Sequence, residues 1–234
     1  MSLILNIDTA TEFASICLSK DGVVIGFEEN REQKSHASFL QPAIQKSMIN
    51  GQWSLDELDA IAVTNGPGSY TGLRVGLASA KGLCFVLNKP LILLNTLEVM
   101  TNGIMNNEAN NSKFKIQNSK LLFCPMIDAR RLEVFTALYN QNLECLLQPT
   151  AMVLDENSFT EHLSNNKIIF SGSGAEKFSN IIKNENAIFS NVQYSAKDMI
   201  QLSEKAFVEK KFADLAYSSP NYGKEFYTPM GKKH

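Results

Sequence analysis

Apolar positions along the chain fall in short continuous runs, each ended by a polar or glycine-containing link. Residues 3–7 form such a run, broken by one Asn and ended by Asp8. A run of this length between polar ends predicts a strand covered on both faces. Residues 13–18 predict a second strand, Asp21-Gly22 a hairpin turn, and residues 23–27 the returning strand. A helix is expected from Ser35, as N-cap, to about Asn50, closed by Gly51 and bent or interrupted at Pro42. Residues 60–64 predict another buried strand, Gly66-Pro67-Gly68 a sharp loop, residues 71–87 a long helix, and residues 91–94 a strand after Pro90.

The pattern then changes and repeats. Residues 102–118 hold Asn102, Asn106, Asn107, Asn110, Asn111 and Asn118 with few apolar neighbours, which predicts a surface loop or linker. Order resumes with an apolar run over 121–127 that ends in Asp128, followed by the link Ala129-Arg130-Arg131. A strand over 132–139, a turn at Asn140-Gln141-Asn142 and a strand over 143–147 come next. Strand, Asp, short link and hairpin therefore occur twice, with Asp8 and Asp128 standing 120 residues apart, which predicts an internal duplication heading two lobes. A helix over 156–163, a strand over 167–170, a Gly172-Ser173-Gly174 loop into a helix, and a last helix over about 196–212 complete the α/β pattern. The expected division is an N-terminal lobe (1–101), a linker (102–120), a smaller lobe (121–194), a C-terminal helix free to return to the first lobe (195–216), and a tail (217–234).

Composition narrows the function. With 44% apolar residues in 234, a real core is expected. Lys plus Arg is 22 against 24 for Asp plus Glu, a net −2, so no overall basic field for nucleic acid exists. No run of about 20 apolar residues is present, and residues 1–7 lack the positive lead-in of a signal peptide, so a cytoplasmic protein without a membrane span is expected. Cys17, Cys84, Cys124 and Cys145 form no Cys-x-x-Cys pair and read as small buried hydrophobes. His36, His162 and His234 give no His-x-x-x-His, so a metalloprotease has no local ligand set.

Four places could carry chemistry. Asp8, Thr9 and Thr11 on the turn after a first strand suit a magnesium–phosphate site, or an Asp and Thr bonding their own turn; Ala10 stands where close phosphate approach would want glycine. The run Gly66-Pro67-Gly68-Ser69-Tyr70-Thr71-Gly72-Leu73-Arg74-Val75-Gly76 matches neither the P-loop nor the dinucleotide pattern. Asp128, Arg130, Arg131 and Glu133 form either an anion-binding fork or a solvated salt-bridge cluster. Gly172 and Gly174 resemble a nucleotide-contacting turn, a weak signal alone. On a wheel at 100° per residue, Gly72, Val75, Gly76, Ser79, Leu83 and Val86 gather on one side and predict close packing on the sheet. Arg74, Leu77, Ala78, Lys81, Cys84 and Phe85 gather on the other, too apolar for a solvent face. On the preceding helix Phe39, Leu40, Ala43, Ile44 and Met48 cover about half the circumference, more than one core contact needs. A docking surface on these two helices is expected.

Several of these segments together resemble the TsaB (YeaZ) family: Ile7-Asp8-Thr9-Ala10, Ala60-Ile61-Ala62-Val63, the Gly66–Gly76 run, Ala80-Lys81-Gly82-Leu83 and Ile127-Asp128-Ala129-Arg130-Arg131. The resemblance implies an actin-like (ASKHA), two-lobed fold. It implies a non-catalytic subunit in tRNA threonylcarbamoyladenosine formation, docked through the two N-lobe helices on a catalytic paralogue, TsaD, with a TsaE ATPase joining and tRNA reached through the complex. It implies no metal and no cofactor of the chain's own, with weak nucleotide binding at the partner interface left open. The apolar docking surface, left alone, should pair with itself, so a homodimer is expected in isolation. Where TsaD carries a metal-binding histidine pair, this chain reads Asn95-Thr96-Leu97-Glu98-Val99-Met100. His36-Ala37-Ser38 and Pro220-Asn221-Tyr222-Gly223-Lys224 depart from the family pattern. The alternative class is an ATP-dependent small-molecule kinase of the same fold, using Asp8 and Asp128 around Mg²⁺.

Overall fold

Every residue of β1 (Leu3–Asp8) is buried, because the strand lies in mid-sheet with helices on both sides. Leu3, Leu5 and Ile7 face one layer, and Ile4 faces the other. β1 pairs antiparallel with β2 (Ala14–Lys20), which pairs antiparallel with β3 (Val23–Asn30) around the Asp21-Gly22 turn. α1 (His36–Gly51) follows, then β4 (Ala60–Thr64), α2 (Tyr70–Leu87), β5 (Leu91–Leu94) and α3 (Thr96–Glu108). β4 and β5 add in parallel, giving the order β3-β2-β1-β4-β5. The computed structural model describes residues 2–32, 35–108 and 121–224.

The second lobe repeats this wiring. β6 (Leu121–Asp128), β7 (Glu133–Tyr139) and β8 (Cys145–Val153) form the antiparallel meander. A short helix, α4 (Thr160–Leu163), leads to β9 (Lys167–Ser171), then α5 (Ala175–Ser179) and β10 (Ala187–Ser190). The order β10-β9-β6-β7-β8 is the first sheet's order, strand for strand. The chain then returns to the first lobe through a 3₁₀ turn, Ala196–Met199, and α6 (Ile200–Val208). This is an α/β fold of two lobes with a duplicated strand–Asp–hairpin unit.

α1 and α2 cover one face of the first sheet: Leu40, Ala43, Ile44, Met48, Leu77, Ala80 and Cys84 pack on Leu5, Ile7, Ile16 and Val63. α6 and the Ala196–Met199 turn cover the other. α3 lies between the lobes, with Val99 against the first sheet and Leu97, Met100 and Ile104 against the second. The second lobe closes on an aromatic group in which Phe159, Phe170 and Phe178 meet edge to face at 4.9–5.7 Å.

Several local expectations are corrected. Pro42 lies inside α1 without interrupting it, because burial of the inner face carries the helix past one lost hydrogen bond. The Ser35 hydroxyl makes no cap bond; it donates to the Glu32 carbonyl and accepts from Asn30. Gly51 is still helical, and Gln52 takes the left-handed C-cap. Residues 102–108, expected in a loop, continue α3, where Asn102 Nδ2 donates to the Asp198 carbonyl and Asn107 Nδ2 to the Gly103 carbonyl. Asn110, Asn111 and Asn118 lie outside the described residues. The helix expected over 156–163 shrinks to α4, and the last helix ends at Val208.

One outcome tests this core directly. Leu77, only 4% exposed, fills the space between α2 and the first sheet. Leu77→Ala is expected to cost about 2–5 kcal/mol of stability, read from urea unfolding midpoints.

Candidate functional site

α2 starts at Ser69, whose Oγ accepts from the Gly72 N–H at 3.2 Å. Its first two turns press on the link after β1. Thr9 Oγ1 donates to the Gly72 carbonyl at 2.7 Å. A Cβ on Gly72 would lie 2.0 Å from the Thr9 carbonyl oxygen, and one on Gly76 would lie 2.3 Å from Thr9 Oγ1. These glycines therefore serve close approach, not anion binding. The same link is held from α1, where His36 Nε2 lies 2.9 Å from the Thr11 carbonyl.

That seat turns α2 by roughly a quarter of the wheel from the sequence expectation. Leu73, Leu77, Ala80 and Cys84 face inward, while Arg74, Ala78, Phe85 and Val86 face out. Phe85 is 79% and Val86 80% exposed. Of the residues expected at a docking face, Leu40, Ile44, Met48 and Leu77 are core of their own lobe and cannot touch a partner. Phe39 is half-buried against that core. α1 instead presents Gln41, Pro42 and Gln45, with Ile49 65% exposed near its end. Between the helices runs a shallow, mostly apolar groove of about 510 Å³, with Gln41, Leu55, Ala78, Gly82, Leu83 and Val86 in its walls. Lys81 is engaged along the far edge of α2, donating to the Ala216 and Ser218 carbonyls at 3.3 and 3.0 Å. Arg74 lies 4.1 Å over the Tyr70 ring and donates from Nε to Tyr222 Oη at 2.7 Å; the two tyrosine rings stack at 4.9 Å.

The two aspartates have diverged. Asp8 is 3% exposed and accepts from Thr64 Oγ1 at 2.7 Å and the Ala10 N–H at 3.2 Å. Burial raises its carboxyl above the ordinary 3.8, against the pull of those bonds. The buried Tyr194 hydroxyl lies beside Asp8 and Thr11. Asp128 is exposed. Desolvation nudges it upward, but the Lys177 ammonium at 2.5 Å and the Arg130 N–H at 2.6 Å hold it below its ordinary value. Gly172 and Gly174 pack under the Met126 carbonyl, and Ser173 Oγ accepts from the Asp128 N–H. Arg130 and Arg131 sit exposed on a left-handed turn, Lys177 bonds the Arg131 carbonyl, and Glu133 pairs with Lys224. The solvated-cluster reading describes this turn.

Comparison with known proteins now bears on these elements. The family model described as TsaD, tRNA N6-adenosine threonylcarbamoyltransferase, matches residues 26–225. A protein of Buchnera aphidicola subsp. Baizongia pistaciae, named tRNA threonylcarbamoyladenosine biosynthesis protein TsaB, is 30% identical over 203 residues, 83% of this chain and 87% of the relative. The chain belongs to the TsaB (YeaZ) family. The Escherichia coli K12 protein of the same name is 27% identical over 226 residues, 94% of this chain and 93% of that one. A solved structure, YeaZ from Pseudomonas aeruginosa, shares the fold with a TM-score of 0.79 at 23% identity, over 95% of this chain and all of that one.

In this TsaB-family chain, Asn95 occupies the start of α3 as a helix cap, its Oδ1 accepting from the Leu97 and Glu98 N–H groups at 2.9 and 3.3 Å. Sequence reasoning missed Thr64, Tyr194, Lys177, Tyr70 and Tyr222. Only Thr64 had a readable signal: it ends β4, the parallel neighbour of β1, at the level of Asp8.

The sealed carboxyl sets a pH signature. A raised folded-state value means the folded chain keeps a proton that the unfolded chain releases, so stability is fullest below the unfolded value and falls as pH climbs through the folded one. Asp8→Asn keeps the acceptor oxygen and removes the titration. The variant is expected to gain stability relative to the parent between about pH 4 and about pH 8, with urea midpoints at both ends as the measure.

Proposed function

We propose that this chain is the non-catalytic TsaB subunit of tRNA threonylcarbamoyladenosine formation, acting by docking onto a TsaD-like catalytic paralogue. The observation that carries the reading is the outward stripe of α2, Ala78, Phe85 and Val86, beside the groove shared with α1. Two large apolar side chains left almost wholly in water on one turn are an interface signature, and burying each contributes roughly 1.5–3 kcal/mol. The match to a TsaD family model and to TsaB relatives supports the same role. A TsaE-like ATPase joins the pair. tRNA is reached through the complex, in keeping with a net charge of −2. In the absence of the paralogue the stripe pairs with a second copy. No helix among the described residues is long and apolar enough to cross a membrane, and we assign the protein to the cytoplasm.

The absence of catalysis is part of the proposal. A kinase of this fold would need Asp8 charged and open to a Mg-nucleotide. Asp8 is instead buried under Thr64, and Asp128 is tied to Lys177. Whether nucleotide sits at the partner interface is a separate binding question that calorimetry with Mg-ATP, on the chain alone and on the complex, answers.

The docking role has a direct test. Phe85→Glu and Val86→Glu should leave the unfolding midpoint near that of the parent, because both positions face solvent. Each should weaken co-purification with the TsaD-like partner by ten-fold or more, about 1.4 kcal/mol, and lower threonylcarbamoyl transfer in the reconstituted system in step. Full assembly by both variants would refute the interface.

A further inference from the structure

The last described stretch, residues 213–224, belongs to neither sheet, yet it touches both lobes. After α6 it meets β5 in one antiparallel bridge, the Ala213 N–H donating to the Leu91 carbonyl at 2.8 Å. It follows α2, held by Lys81 and by the Arg74–Tyr222 contact. Then it crosses from the first lobe to the second. The Asn221 N–H donates to the Asn65 carbonyl at 2.7 Å. The Asn221 carbonyl crowds Gly66 so closely that a Cβ there would lie 1.9 Å from it. Two residues on, Gly223, at φ +72°, lies against the Phe135 ring of β7 in the second lobe; a Cβ would come within 2.7 Å of that ring. Lys224 pairs with Glu133 at the start of β7. A cavity of about 380 Å³ lies at this crossing, walled by Pro67 of the first lobe and Phe135, Pro149 and Thr150 of the second.

We propose that residues 220–224 are an interlobe clasp that holds the second lobe against the first, and that its release lets the lobes pivot about α3. Among the described residues an apolar seam joins the lobes, and this strap joins them at a separate place. The seam is the packing of Leu97 and Met100 on Ile127 and Tyr139, with Ile104 on the second sheet and Leu143 on the first-lobe core, a buried core that moves as a body. Among the described residues the strap reaches the second lobe through one glycine–ring contact and one surface ion pair, and it is held to the first lobe by the Asn221–Asn65 backbone hydrogen bond and the contacts of Tyr222 with Arg74 and Tyr70. A surface ion pair contributes little, so the grip rests on Asn221 and Gly223. An attachment with so few contacts to the second lobe opens far below the cost of global unfolding, and the apolar seam that remains, centred on α3, is the geometry of a hinge. The clasp does not rest on the docking role, since none of its contacts to the second lobe uses the stripe on α2.

The experiment uses the full-length chain with Cys145→Ser, which removes the one half-exposed thiol, and spin labels on Asp56→Cys in the first lobe and Glu185→Cys in the second, both exposed. Asn221→Pro removes the donor to Asn65, and Gly223→Leu places a side chain where the Phe135 ring stands. Pulsed electron–electron distance measurement should give a narrow distribution for the parent and a longer, broader one for each variant. Unchanged narrow distributions in both variants overturn the clasp.

Discussion

Two absent side chains set the position of α2, and much of the molecule follows from that position. With hydrogen at Gly72 and Gly76, the helix backbone reaches the link after β1 and takes a hydrogen bond from Thr9. Any Cβ there would force the helix away from the sheet. The contact fixes the rotation of α2 about its own axis as well as its height. Leu73, Leu77, Ala80 and Cys84 then fall into the core, and Ala78, Phe85 and Val86 face solvent. A helix lifted by one methyl group would have to choose a different inner face, and the outward stripe would change with it.

The same seat closes the region around Asp8. The link carrying Thr9 and Thr11 is clamped from α2 by Thr9 and from α1 by His36, while Thr64 caps the carboxyl from the neighbouring strand. Burial drives that carboxyl toward its neutral form, against the pull of the Thr64 hydrogen bond. The second copy of the unit keeps the strand order and the aspartate but exposes it to Lys177 and water. Duplication has preserved the scaffold while the chemistry at its two equivalent points has parted. One aspartate is sealed from water and the other is paired with Lys177.

The route of residues 213–224 gives the flank along α1 and α2 a further property. They run beside α2 and then meet the second lobe, so the outward helix and the lobe junction are served by one continuous segment. The cation–π and tyrosine stack at Arg74 occupies the side of α2 nearest that segment. It leaves the side toward α1, where the apolar groove lies, as the open one.

What could be read from the sequence was local. Buried strands announce themselves as short apolar runs, and the two Asp-ended runs 120 residues apart gave the duplication and hence the shared strand order. The Gly66–Gly76 run carried the family. The rest depended on residues far apart in the chain. Which side of α2 is buried depends on Thr9, 63 positions away, and a helical wheel contains no information about its partner. The same holds for Tyr194 beside Asp8 and for Tyr222 on Arg74. Residue pattern specifies which elements form, because propensity and periodicity act over a few positions. Only the folded chain decides which face of each element meets its neighbour, because that choice is made by steric contact between elements the sequence keeps apart.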